Sequence, residues 1–192
     1  MRMCLLNGCC ALMAAVSLSC VDYAPKPRGY MRIEPQAPCY QVLDLPELPF
    51  LFEVSQAVTI ELPETMAQPM FNLSYPDMHA KLYCSYLPIT RISYPEAEAE
   101  SRRLVARAAG ATVASIQERA YAHPEVAVYG SLFLLPGDAA SPVQFLLTDS
   151  VAHFLRGALY FDCRPNADSL APAIDYIRQD VMEMIQTFRW RR

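Results

Sequence analysis

From Phe50 onward, apolar side chains fall on every second residue, and this period limits what the chain can fold into. Phe50, Phe52 and Val54 alternate with Leu51, Glu53 and Ser55, and Val58, Ile60 and Leu62 keep the same rhythm. Period two marks a strand with one buried face. Residues 70–75 and 81–86 continue it, with Tyr75-Pro76-Asp77 between them as turn chemistry. Residues 126–135 are almost wholly apolar or aromatic, which reads as a strand covered on both faces. Pro136-Gly137-Asp138 then turns the chain, and residues 143–148 and 154–162 make the next pair around Asp149-Ser150. Links this short require antiparallel neighbours.

Two stretches change to helical spacing. Pro95 opens a helix expected over residues 96–121, with Glu96, Glu98 and Glu100 at its start and Glu98 placed four before Arg102. Gly110 weakens its continuity by about 1 kcal/mol. Near the end, Ile174, Ile177, Val181, Ile185 and Phe188 recur at three- and four-residue steps, while Asp175, Arg178, Gln179 and Glu183 hold the other side. Asp168 or Ser169 is expected to cap this helix, with Pro172 in its first turn. Strands, a helix, three strands and a helix give an α+β fold. The expectation is a central antiparallel sheet of about six strands, with helices packed on it and an amphipathic helix at the C-terminal end.

The N-terminal segment obeys other rules. Arg2 supplies a positive start, residues 11–18 are mostly apolar, and small residues precede Cys20. A basic start, roughly 7–15 apolar residues and a small-residue cut site describe a secretory signal. A cysteine straight after the cut supplies a thiol for a diacylglyceryl group and an acyl chain such as palmitate. Residues 1–19 therefore read as a lipoprotein signal peptide and Cys20 as the lipidated residue. Residues 20–48, with Pro25, Pro27, Pro35, Pro38 and Pro46, read as a tether and irregular lead-in. Short extended pieces are expected at 30–33 and 39–43, and residues 49–192 form the single domain.

Composition closes off several functions. The 192 residues carry a net charge of −4, without the basic footprint that nucleic-acid binding needs. An acidic chain does not adhere broadly to anionic lipid heads either, so attachment to the membrane falls to the acyl chains. Beyond Cys20 lie Cys39, Cys84 and Cys163. One disulfide could form in three ways with a thiol left over, and packing of free cysteines in the core is the favoured reading. His79, His123 and His153 are far apart and there is no CxxC, so a zinc site is not expected. No cofactor motif is present.

Candidate functional residues are few. Asp149, Ser150 and His153 hold the residue types of a hydrolytic triad, but three partners crowded into one turn rarely converge. A hairpin turn is the simpler reading. Arg156 stands in Phe154-Leu-Arg-Gly-Ala-Leu-Tyr160, a strand otherwise built for burial. It must snorkel, pair with an acid such as Asp149, or face a ligand. Lys26, Arg28 and Tyr30 form a basic island beside the anchor. With Asp149, His153 and Arg156 they make up the candidate partner surface.

A colinear resemblance covers roughly residues 20–190. Tyr23-Ala-Pro-Lys-Pro-Arg-Gly-Tyr-Met-Arg-Ile33 resembles the opening of the mature gliding-motility lipoproteins called GldD, found in Bacteroidetes. Val128-Tyr-Gly130, Ala139-Ala-Ser-Pro-Val-Gln-Phe145, Thr148-Asp-Ser150 and His153-Phe-Leu-Arg-Gly-Ala-Leu-Tyr-Phe161 fit it too. So do Pro165-Asn166, Asp168-Ser-Leu-Ala-Pro172, Ile177-Arg178, Asp180 and Thr187-Phe-Arg-Trp190. The likeness is weaker over residues 62–80. The resemblance implies a membrane-anchored accessory of the gliding and type IX secretion apparatus, without catalytic residues. Its partners would be the membrane, through Cys20, and other envelope, motility or secretion proteins. Val21-Asp22 after Cys20 shows no run of acids that would direct the chain to the cell surface, so a periplasm-facing place in the cell envelope is expected, on either membrane. The alternative is a small-ligand or lipid-binding periplasmic lipoprotein using Arg156, and a third reading is an enzyme built on Ser150 and His153.

Overall fold

In the computed structural model, which describes residues 39–62, 70–110 and 115–191, ten strands and two α-helices follow one another. They are β1 (Tyr40–Leu43), β2 (Phe50–Ser55), β3 (Thr59–Glu61), β4 (Met70–Tyr75), β5 (Ala80–Pro88), α1 (Tyr94–Ala109), β6 (Gln117–His123), β7 (Val128–Leu134), β8 (Val143–Thr148), β9 (His153–Phe161), α2 (Ala167–Thr187) and β10 (Arg189–Trp190). Seven strands make one sheet in the order β3-β4-β5-β9-β8-β7-β6, and β1-β2-β10 make a second. Every neighbouring pair is antiparallel. The fold is α+β.

Alternation along the strands sorts the large sheet into two faces. Phe71, Leu73 and Tyr75 of β4, Leu82, Cys84 and Tyr86 of β5, Phe145 and Leu147 of β8, and Leu155 and Leu159 of β9 point one way. They pack with Phe50 and Phe52 of β2 and with Ile177, Val181, Met184 and Ile185 of α2. The second sheet and α2 thus share one side. On the other side Phe133, Leu146 and Phe154 meet Val105 and Ala109 of α1. β8 lies between the two and has all six residues buried.

Arg102 fixes α1 to the sheet. Its guanidinium binds Glu98 one turn back at 3.2 Å and Glu118 of β6 at 2.8 Å, and it lies over the Phe133 ring. Glu118 in turn accepts from the Ser131 hydroxyl of β7. The helix stops at Gly110, whose φ of +62° suits a residue without Cβ. Residues 117–121, expected as the tail of this helix, instead belong to the edge strand β6, which brings the main sheet to seven strands rather than about six. For α2 the cap is Asn166, whose side chain accepts from the Ser169 N–H, rather than Asp168 or Ser169. Pro172 therefore sits beyond the first turn.

The lead-in contributes to the fold. β1 pairs with β2 from Tyr40 opposite Ser55 to Leu43 opposite Phe52, and Leu43 and Leu48 are buried in the core. The 3₁₀ turns Pro76–Met78 and Pro124–Val126 join β4 to β5 and β6 to β7 in the same way. Each ends on a left-handed residue, His79 at φ 48° and Ala127 at φ 52°.

Candidate functional site

The β8–β9 hairpin end is organised by Asp149. One carboxylate oxygen accepts the backbone N–H groups of Val151, Ala152 and His153 at 2.8–2.9 Å. Burial works to raise this carboxyl, but the three amides outweigh it and hold it below the ordinary value. Ser150 takes a left-handed φ of 64°, and its N–H donates to the Thr148 hydroxyl. The His153 Nδ1 lies 2.7 Å from the Tyr86 hydroxyl, and its ring stacks on Trp190 at 4.9 Å between centroids. Among the described residues no hydrogen bond joins Ser150 to His153. The three residue types are adjacent but do not line up as nucleophile, base and orienting acid.

His153 thus belongs to an aromatic cluster more than to an open surface. Trp190 packs edge-on against Phe188 at 4.7 Å, Phe188 stacks on Phe50 at 5.1 Å, and Phe50 touches Phe71 and Tyr86 at 5.8 Å each. The sequence alone does not mark Trp190 or Tyr86 as neighbours of His153. Tyr86 ends the alternating apolar positions of β5 and Trp190 stands between two arginines, and neither context reveals that the two meet.

Arg156 is elsewhere, on the α1 side of β9, and does not pair with Asp149. Its guanidinium donates to the Gln144 side-chain oxygen at 3.3 Å, and Gln144 is 1% exposed. Among the described residues no carboxylate lies within 4.0 Å of it. Among the described residues, two buried nitrogens here, Arg156 Nε and Gln144 Nε2, have no hydrogen-bond partner. Burial lowers the guanidinium's affinity for its proton, and Tyr160 and Glu100 offset this only in part. Arg156 lines an open pocket of about 340 Å³ together with Ser85, Leu87, Ala97, Ser101 and Phe154, with Glu96 and Glu100 at the α1 rim. Gln144 was missed because a glutamine within an apolar strand shows nothing of the neighbour it faces.

A second polar group is deeply placed. Asp180 of α2 is 5% exposed and accepts the Tyr40 hydroxyl of β1 at 2.9 Å, with the hydroxyls of Tyr75 and Ser55 also turned to its carboxylate. Burial raises its carboxyl above the ordinary value, against the pull of the hydroxyls of Tyr40, Tyr75 and Ser55.

Cys84 is buried, and burial pushes its thiol well up. Cys39 and Cys163 are free and exposed, so core packing holds for Cys84 alone. No group of three or more metal-ligating side chains occurs among the described residues. None of their helices is long and apolar enough to cross a membrane. Cys20, Lys26, Arg28 and Tyr30 lie outside the described residues.

A family model described as gliding motility lipoprotein GldD matches residues 20–190. No curated protein matches the chain.

Proposed function

The chain belongs to the gliding motility lipoprotein GldD family, and on that membership we propose that it serves the gliding and type IX secretion apparatus as an assembly or scaffolding lipoprotein. The family implies involvement in gliding motility and a membrane-anchored place in the cell envelope. The match opens on Cys20, the residue that the signal-peptide pattern assigns to lipidation, and this coincidence carries the reading. The fold faces the periplasm, held by acyl chains on Cys20. Lys26, Arg28 and Tyr30 of the tether meet other envelope proteins.

A scaffold needs no chemistry of its own, and the protein catalyses no reaction in this reading. The commitment of Asp149 to three backbone amides supports it. So do the internal contacts of His153 with Tyr86 and Trp190. Asp149 and His153 shape the hairpin end, while the tether makes the contacts. The guanidinium without a carboxylate partner favours a ligand-binding role in addition.

Cys20→Ala in the native host tests the anchor, with gliding, type IX secretion and membrane retention read together. Release from the membrane fraction with loss of gliding is the expected result. A variant that still pellets with membranes after a high-salt wash overturns the lipoprotein assignment. Crosslinking of the wild type should capture secretion or motility proteins, and recovery of the chain alone would remove the scaffolding role.

A further inference from the structure

We propose that the pocket under α1 binds a monoanionic carboxylate carried on an apolar body, with Arg156 as its counter-charge. This goes beyond the scaffolding role and rests on different residues. Charge comes first. A half-buried guanidinium normally sits against an acid, yet the partner of Arg156 is the neutral oxygen of Gln144 at 3.3 Å. Of the two acids lining the pocket, Glu100 is occupied by Arg103 at 3.3 Å and Arg107 at 3.0 Å, and among the described residues Glu96 makes no ion pair with Arg156.

Shape and lining agree with the charge. A volume of about 340 Å³ falls within the range of small-molecule sites. Leu87, Phe154 and Ala97 give the ligand an apolar wall, and the hydroxyls of Ser85 and Ser101 offer further hydrogen bonds beside the guanidinium. Ser85 and Arg156 are directly opposite on β5 and β9, so hydroxyl and guanidinium are presented together. A planar guanidinium matches a carboxylate with two parallel hydrogen bonds. The site holds one arginine and has Glu96 and Glu100 on its rim. That balance favours a single negative charge over a phosphate dianion. Two natural sources carry this chemistry, a fatty acid and the free C-terminus of a peptide ending in an apolar residue.

The test titrates the full chain carrying Cys20→Ala with octanoate, octanamide, N-acetylphenylalanine and inorganic phosphate. Equilibrium dialysis gives affinity, and the amide resonances of Ser85, Ala97 and Ser101 give location. At least one of the two apolar carboxylates should bind saturably with a Kd below about 1 mM, while octanamide and phosphate do not. Tighter octanoate assigns an acyl chain, and tighter N-acetylphenylalanine assigns a peptide C-terminus. Arg156→Met should weaken binding at least about tenfold. Glu100→Gln, an exposed change that leaves the fold intact, should tighten it about two- to fivefold by removing a like charge. The proposal is overturned if octanamide or phosphate binds as well as the carboxylates, if Glu100→Gln changes nothing, or if no carboxylate saturates below about 10 mM. The octanamide and Glu100→Gln comparisons decide the matter even if Arg156→Met does not fold. Loss of membrane retention would bear on the anchor and leave this result unaffected.

Discussion

One oxygen of Asp149 gathers three N–H groups that would otherwise be left bare at the hairpin end. Asp149→Ala should cost about 2 kcal/mol in urea unfolding, because unpaired part-buried donors lose water without gaining a partner. Asp149→Asn keeps an acceptor and should recover part of that loss. The folded carboxyl lies below its ordinary value of 3.8, so its contribution is present above that value and fades as pH falls through the lower, folded one. Asp180 has the opposite sign. Its folded value is raised above 3.8, so the native state takes up the proton more readily and this term strengthens stability as pH falls toward 3.8. Asp180→Asn should therefore raise the melting temperature at pH 7 and lose that advantage near pH 4, with Tyr40 still able to donate to the amide oxygen. The turn role of Asp149-Ser150 was legible, since Asp and Ser are turn residues. The buried acid Asp180 stands three residues after Ile177 and four before Met184, at the edge of the apolar stripe, but its spacing does not show that the Tyr40 hydroxyl from β1 would meet it there.

The two Pro-started 3₁₀ turns show how an element can be hidden in plain sequence. Tyr75-Pro76-Asp77 reads as a turn in the sequence, whereas His123-Pro124-Glu125, its counterpart two strands later, does not stand out. The reason is energetic. Residues 96–121 offer strong helix formers up to and beyond Gly110, and β6 prefers its extended form only because it pairs along β7. Ala127 closes the second turn at φ 52°, a conformation that costs an L-residue about 1–2 kcal/mol. Ala127→Gly should accordingly stabilise the protein by about 1 kcal/mol, net of the added chain entropy of the unfolded state. At the sheet's centre the need is reversed. Gly157 lies directly opposite Phe145, whose ring covers it so closely that a methyl group would overlap. Gly157→Ala should destabilise by about 1–3 kcal/mol, and adding Phe145→Leu should return a measurable part of it, a coupling that a double-mutant cycle would read. β8 and β9 themselves were legible nearly to the residue, since their apolar runs are bounded by turn chemistry.

For the molecule as a whole, the C-terminal residues close what the lead-in begins. Arg189–Trp190 pairs with Phe50–Leu51 of β2, the Arg191 N–H donates to the Pro49 carbonyl, and the Arg191 guanidinium meets Asp44. Phe188 is fully buried against Phe50 and Phe52. A chain ending at Thr187 loses two aromatic anchors and one side of β2, and should fail to give a cooperative thermal transition. This long-range closure was invisible in the sequence, where Phe188 reads as the last position of the helix's apolar stripe and nothing pairs Arg189 and Trp190 with β2. The lead-in has a mechanical consequence. Under the proposed lipidation of Cys20, a pull that reaches the described residues loads β1 first, since it is the first described strand. β1 is gripped by one neighbouring strand and by the phenol of Tyr40 on Asp180, whereas β2 behind it is held by β10 as well. Tension from the membrane would peel β1 first and leave the aromatic cluster shut, making the strand a tear-strip that gives way before the body it is sewn to.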